Sequence, residues 1–277
     1  MDKSMPIKIT AAGQSDAGRQ RDKNEDWFYL RVVQSLQEEL SGLFVVADGM
    51  GGHLAGEVAS QLTVETLESE FSHSPRATRK LDAKARQAWE QGRDVATLLA
   101  DAPVYAAIRG AVQRANQVVR DYTQHYPDRA RDAGSTVTMA VVKGWTAYIA
   151  NVGDSRTYLL REGRLQQLTT DHSLVAGLVA AGTIQPEEIY SHPQRNVIYR
   201  SLGSDPQVEV DITRQPLQPG DRLLLCSDGL WEMVRDPQIT TLLEAAPDVW
   251  EANDRLIQTA NEHGGHDNIT AIVVRVG

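Results

Sequence analysis

A chain of 277 residues, 41% of them hydrophobic, is long enough to bury a sizeable core, and residues 1–277 are expected to form a single domain. Acids outnumber bases 37 to 28, and the formal charge of −9 argues against nucleic acid or any extended phosphate backbone as a partner. Neither the opening MDKSMPIKIT nor the weakly polar run Leu174 to Ala181 is apolar or long enough for a signal or membrane segment, so a soluble, cytoplasmic protein is expected.

Along the chain, Ile7 to Gly13 and Trp27 to Val33 read as strands on either side of the polar segment Ser15 to Asp26, which places that segment at a sheet end. Leu43 to Ala47 is a short apolar run that ends on Asp48 and then on Gly49, Gly51 and Gly52, as a buried strand presenting a carboxylate at its tip would. After His53 the residues Leu54, Val58, Leu62, Leu67 and Phe71 fall on one side of a helix. Ser72 to Ala102 is charged, with scattered Ala, Leu and Trp89, and reads as a helical insertion with solvated flanks. Pro103 suits a helix first turn, and the apolar stripe continues through Val104, Ile108, Ala111, Ala115, Val118 and Tyr122.

The period then changes. Thr136 to Val142, Trp145 to Asn151 and Arg156 to Leu160 are rich in β-branched and aromatic residues, and the short turns between them predict an antiparallel meander. Strands in runs argue for antiparallel sheets covered by helices and against a doubly wound sheet. Asp171 to Pro206 has weak periodicity and reads as a long irregular flap with two short helical patches, contacting substrate and mobile. Arg222 to Ser227 is a buried strand that ends in Asp228. Val249, Asn253, Leu256 and Ala260 mark a helix that stops at Gly264-Gly265, and Ile269 to Val276 is a closing strand.

Asp26, Asp48, Asp154, Asp228 and Asp267 thus stand at element ends, each within two residues of Gly, Ser or Asn. Gathering such carboxylates in one place is costly, because like charges raise one another's pKa, unless a cation holds them. Donors that are all oxygen suit Mg²⁺ or Mn²⁺ better than Zn²⁺. The spacing alone is equally compatible with acids that each cap a separate turn.

The motifs R-x-x-N-E-D at Arg21 to Asp26, V-V-A-D-G-M-G-G-H at Val45 to His53, N-V-G-D-S-R at Asn151 to Arg156 and D-H-S at Asp171 to Ser173 occur in one order along the chain. S-H-P-Q-R-N at Ser191 to Asn196, L-C-S-D-G-L-W at Leu225 to Trp231 and G-H-D-N-I-T at Gly265 to Thr270 follow. Together they closely resemble the PP2C-type (PPM family) metal-dependent protein serine/threonine phosphatases in their compact bacterial form. The resemblance implies an α+β fold, a four-layer α/β/β/α sandwich of two central antiparallel sheets flanked by helices. It implies hydrolysis of phosphoserine and phosphothreonine by direct attack of a water activated between two divalent metal ions, Mn²⁺ or Mg²⁺, without a phosphoenzyme.

Carried over by position, Asp48 resembles the carboxylate bridging two ions, with the Gly49 carbonyl on one and Asp228 and Asp267 on the other. Asp26 and Glu25 match acids that hold water on the metals, and Asp154 matches a contributor to a third, weaker site. Arg21 resembles the arginine that grips the substrate phosphate; the plain alternative is a surface salt bridge, worth little. Asn268 either supports the Asp267 loop or makes an Asx turn. Animal-type members carry His directly after the Asp-Gly pair, whereas this chain has Met50 there and His53 three residues later. His53 as proton donor or substrate contact stands beside a helix-start histidine with no catalytic duty, and water on a metal is a third source of the proton.

The partners so implied are phosphorylated proteins, the substrates of a Ser/Thr kinase or that kinase itself, met by a monomer in signal transduction. Other chemistries fit less well. Cys226, the one cysteine, excludes an internal disulfide, and the sixth residue after it is Glu232, which rules out a C-x₅-R cysteine phosphatase. His263 and His266 have no cysteine nearby to complete a zinc site. A two-metal nuclease would want a basic track that the net charge does not supply, and a phosphoprotein reader without activity would not need all five acids and Arg21.

Overall fold

The computed structural model describes residues 7–33, 41–51, 55–72 and 95–277. His53 and residues 73–94, most of the expected insertion, lie outside the described residues.

Two antiparallel sheets pack face to face. The first has the order β1-β11-β10-β7-β8, from β1 (Ile9–Asp16), β7 (Arg156–Arg161), β8 (Arg164–Gln167), β10 (Arg222–Cys226) and β11 (Ile269–Val276). The second runs β2-β3-β5-β6-β9, from β2 (Asp26–Val32), β3 (Gly42–Met50), β5 (Val137–Lys143), β6 (Thr146–Val152) and β9 (Asp211–Pro216), with the two-residue β4 (Gly134–Ser135) beside the end of β3. Helices α1 (Ala55–Ser72) and α2 (Val95–His125) cover the second sheet, with the short α3 (Pro127–Ala130) after α2. On the outer face of the first sheet lie α5 (Asp228–Trp231), α6 (Asp236–Ala245) and α7 (Val249–Glu262). The expected α/β/β/α arrangement is the one observed.

Alternation along the strands explains the layering. In β3, Phe44 and Val46 face the other sheet, while Leu43, Val45 and Ala47 face α1 and α2. In β10, Leu223 and Leu225 enter the space between the sheets, and Leu224 and Cys226 meet α6 and α7. Strands buried on both faces need apolar residues at every position, which is why Leu43 to Ala47 and Leu223 to Cys226 read as unbroken runs.

Three readings of the sequence are corrected. The segments 136–142, 145–151 and 156–160 do not form one meander: β5 pairs with β6, but β7 pairs with β10 and β8 in the other sheet. Gly153, at φ 103°, lets the chain cross between sheets, and a Cβ there would meet the Thr136 side chain. Pro103 lies inside α2 and not in its first turn, because the helix extends upstream to Val95 and its packed downstream face outweighs one missing backbone donor. The stripe of α2 is also carried by Val112 and Val119, both fully buried, in place of the half-buried Val118.

The flap contains α4 (Leu174–Ala180) and a 3₁₀ turn at Pro186–Tyr190. Its base is fixed: Asp171, His172 and Ser173 are buried, Ser173 bridges to Ile198, and Leu202 bridges to Ser135. Asn116 of α2 bonds the backbone of Gly203 and Asp205, which ties the end of the flap to the second sheet's helical layer.

Candidate active site

The acids arrive at one end of the sandwich because strand ends carry them there. Asp26 opens β2, Asp48 lies near the end of β3, and the register of that pair sets them opposite one another. Asp228 opens α5 directly after β10, and Asp267 stands just before β11. Asp154 occupies the crossing from β6 to β7, where its carbonyl accepts from Trp231 Nε1 at 3.1 Å.

Hydrogen bonds weld these ends together. Ser227 Oγ donates to Asp26 Oδ2 at 2.7 Å and so joins the two sheets. Asp48 N donates to Thr136 Oγ1 (3.0 Å), and Thr136 N returns a bond to Asp48 O (2.8 Å). Thr136 Oγ1 also meets Ser155 Oγ at 2.7 Å, linking the Asp48 strand to the Asp154 crossing. Asn268 holds the loop before β2 on three sides: Oδ1 accepts from Glu25 N, and Nδ2 donates to Ala17 O and Lys23 O. Its side chain thus joins the loop before β2 to the Asp267 loop, where Asn268 N also donates to Asp267 Oδ1 at 2.9 Å.

Gly49 donates to Glu25 O, and a Cβ at this position would collide with the carbonyls of Gly56 and Glu25, so no other residue fits. Ser60 Oγ donates to the same Glu25 carbonyl. Arg21 Nη2 donates to Asp267 Oδ2 at 2.6 Å, with the two side chains 49% and 31% exposed. The arginine is thus at the site and accessible, tethered to one of the acids.

Burial dominates the electrostatics. It raises Asp26 to about 6, against donation from Ser227 and with added repulsion from Asp267 and Glu25. It raises Asp154 to about 7, with Asp171 as the largest like-charged neighbour. Asp48 and Asp228 stand well above the ordinary carboxylate range, through burial and then each other's neighbours: Asp228 and Asp26 act on Asp48, Asp154 and Asp267 on Asp228. Glu25 is also raised, by burial first.

Among the described residues, no three of the acids are close enough in this structure to grip an ion as they stand. The donor set nonetheless fits divalent cations. Asp26 Oδ1 and Asp228 Oδ1 are buried with no hydrogen-bond partner, an expense that a positive charge relieves. Mutual repulsion among Asp26, Asp48, Asp154 and Asp228 points the same way, and the donors are hard oxygens.

The sequence from residue 18 to residue 273 matches the model of the family described as Protein phosphatase 2C. The chain belongs to that family. It is accordingly a protein-serine/threonine phosphatase, a hydrolase of a metal-dependent family. The serine/threonine phosphatase stp of Listeria welshimeri is 36% identical over 94% of this chain and 93% of its own. The crystal structure of the Mycobacterium tuberculosis serine/threonine phosphatase PstP/Ppp superposes with a TM-score of 0.79 at 36% identity, covering 97% of this chain and 98% of that one. The catalytic domain of PstP in complex with 2 manganese ions gives a TM-score of 0.77 at 34% identity, over 98% and 99% of the two chains.

Ser227, Thr136, Trp231 and the Arg156–Asp171 pair escaped the sequence reading as parts of the phosphatase site. Ser227, Trp231, Arg156 and Asp171 lie within the motifs, which many residues with no site role also do, and Thr136 lies in none of them.

Proposed function

We propose that this phosphatase removes phosphate from phosphoserine and phosphothreonine in proteins by direct attack of water on phosphorus, with no phosphoenzyme. Asp48, the Gly49 carbonyl, Asp228 and Asp267 would hold two divalent ions, Mn²⁺ or Mg²⁺, with Asp26 and Glu25 orienting water beside them and Asp154 serving a third, weaker ion. When bound, such ions acidify water and neutralise charge on the phosphate oxygens. The observation that carries this reading is the pair of partnerless buried oxygens on Asp26 and Asp228 at the ends of opposite sheets.

Arg21 leaves Asp267 to pair with two oxygens of the substrate phosphate, a geometry that guanidinium matches and that its half-exposed position permits. Water attacks in line, the P–O bond to serine or threonine breaks, and inorganic phosphate leaves. The leaving oxygen takes its proton from His53 or from solvent. Cys226 is fully buried and its thiol is pushed up by burial, which supports a route without a cysteine nucleophile.

The single domain 1–277 acts as a monomer in the cytoplasm, within a signalling pair whose other half is a Ser/Thr kinase, itself a substrate or the source of substrates. Among the described residues no helix is long and apolar enough to cross a membrane. The test is turnover of p-nitrophenyl phosphate and of a phosphothreonine peptide with Mn²⁺, expected to vanish with chelator. Hydrolysis of a dinucleotide diester alone would make the protein a nuclease, and peptide binding without turnover would make it a reader.

A further inference from the structure

The fully buried Ser227 hydroxyl meets Asp26, and the direction of its proton follows from its other partners. Ser227 Oγ accepts the amide proton of Thr270 at 3.0 Å, and its own proton goes to Asp26 Oδ2 at 2.7 Å. The other acceptor within reach, Asn268 O, is at 3.5 Å, the limit of a hydrogen bond. On the opposite flank, Asp26 N–H donates to Asn24 Oδ1 at 3.1 Å, which settles the orientation of that amide. Asn24 Nδ2 then donates to Ser15 Oγ (2.7 Å), and Ser15 Oγ meets Thr270 Oγ1 (2.7 Å), so the backbone flank of Asp26 is braced as well as its carboxylate.

We propose that Ser227 is a positioning residue of the active site. By occupying Asp26 Oδ2 it fixes the carboxylate with Oδ1 as the oxygen left for the site, and it locks the end of β10, which carries Asp228, to the start of β2, which carries Asp26. The inference rests on the reading of Asp26 given under the proposed function. Ser227 touches neither substrate nor the reacting atoms; it acts through Asp26.

The test compares the parent, Ser227→Ala, Asp26→Asn and the double variant. Affinity for Mn²⁺ alone is read by electron paramagnetic resonance of the free ion, and kcat and KM are read on a phosphothreonine peptide. Ser227→Ala is expected to lower Mn²⁺ affinity and kcat by roughly tenfold or more, with KM within about twofold, the usual scale for a lost hydrogen-bonding partner around a metal site. Ser227→Thr, which keeps the hydroxyl, is expected to recover most of that loss. In the Asp26→Asn background Ser227→Ala is expected to add nothing. An active parent whose Ser227→Ala variant keeps both values within twofold overturns the proposal, as does an equal loss in the Asp26→Asn background or a folded Ser227→Thr as impaired as alanine. An inactive parent would instead sink the proposed function.

Discussion

Asp26 and Asp48 are direct partners across the β2–β3 pair, an arrangement in which two ionised acids repel one another. Each is further crowded by Asp267, which adds to the repulsion that a cation would relieve. Asp48→Asn is expected to lose binding of two Mn²⁺ ions and nearly all hydrolysis. Asp154→Ala is expected to weaken a third ion and slow turnover while sparing the first two. Calorimetric titration with Mn²⁺ separates these outcomes, and two ions bound by Asp48→Asn with parental affinity would refute its bridging role.

The raised carboxylates make a prediction about pH. Asp26 at about 6 and Asp154 at about 7 both exceed 3.8, the value for an exposed aspartate, and burial raises Asp48 and Asp228 well above it too. Between about pH 4 and pH 7 the folded chain holds protons that the unfolded chain has lost, so stability falls as pH rises through that window. In chelator, Tm is expected to drop by about 5 °C between pH 5 and pH 7.5. Mn²⁺ competes with those protons and is expected to raise Tm more at pH 7.5 than at pH 5. Differential scanning calorimetry at the two pH values checks this, and equal Mn²⁺ shifts would count against it.

Behind the site, Arg156 donates to both oxygens of Asp171 through Nε and Nη2 (2.6 to 3.1 Å), donates to Tyr158 OH, and lies 3.6 Å from the Trp231 ring. Both partners are about 5% exposed, so removing one leaves the other buried and unpaired. Arg156→Ala is expected to cost about 3–5 kcal/mol of stability in urea unfolding. Arg255→Ala, which breaks an exposed pair with Glu251 one helical turn away, is expected to cost under about 0.5 kcal/mol and serves as the control.

The flap is expected to be cut before the sheets are. Its base is buried, but Glu187 and Glu188 lie on an exposed 3₁₀ turn with no buried residue. Limited digestion with a glutamate-specific protease is expected to cleave there first, and a bound phosphopeptide is expected to slow the cut. Equal cleavage in flap and sheets would contradict both mobility and substrate contact.

Much of this molecule can be read from residue types alone, for reasons that are local. Leu43 to Ala47 is apolar because both faces of β3 are covered, and the Asp-Gly pair follows because the chain must turn where Gly49 abuts Glu25 and Gly56. What stayed hidden depends on distant partners. A strand's own residues do not say which sheet it joins, so β6 and β7 looked like neighbours. The edge strands β8 and β9, RLQQ and DITRQP, bury little and show no apolar alternation. The pairing of Arg21 with Asp267 and of Ser227 with Asp26 spans 246 and 201 residues, and neither partner alone signals the other.

The antiparallel register of β1 with β11, Ile9 against Val276 through Asp16 against Ile269, makes the first described strand wait for the last. Asp16 and Asp267 stand near the ends of strands whose pairing closes only across this long sequence separation. The frame around the acids is therefore complete only once Ile269–Val276 has folded back onto Ile9–Asp16.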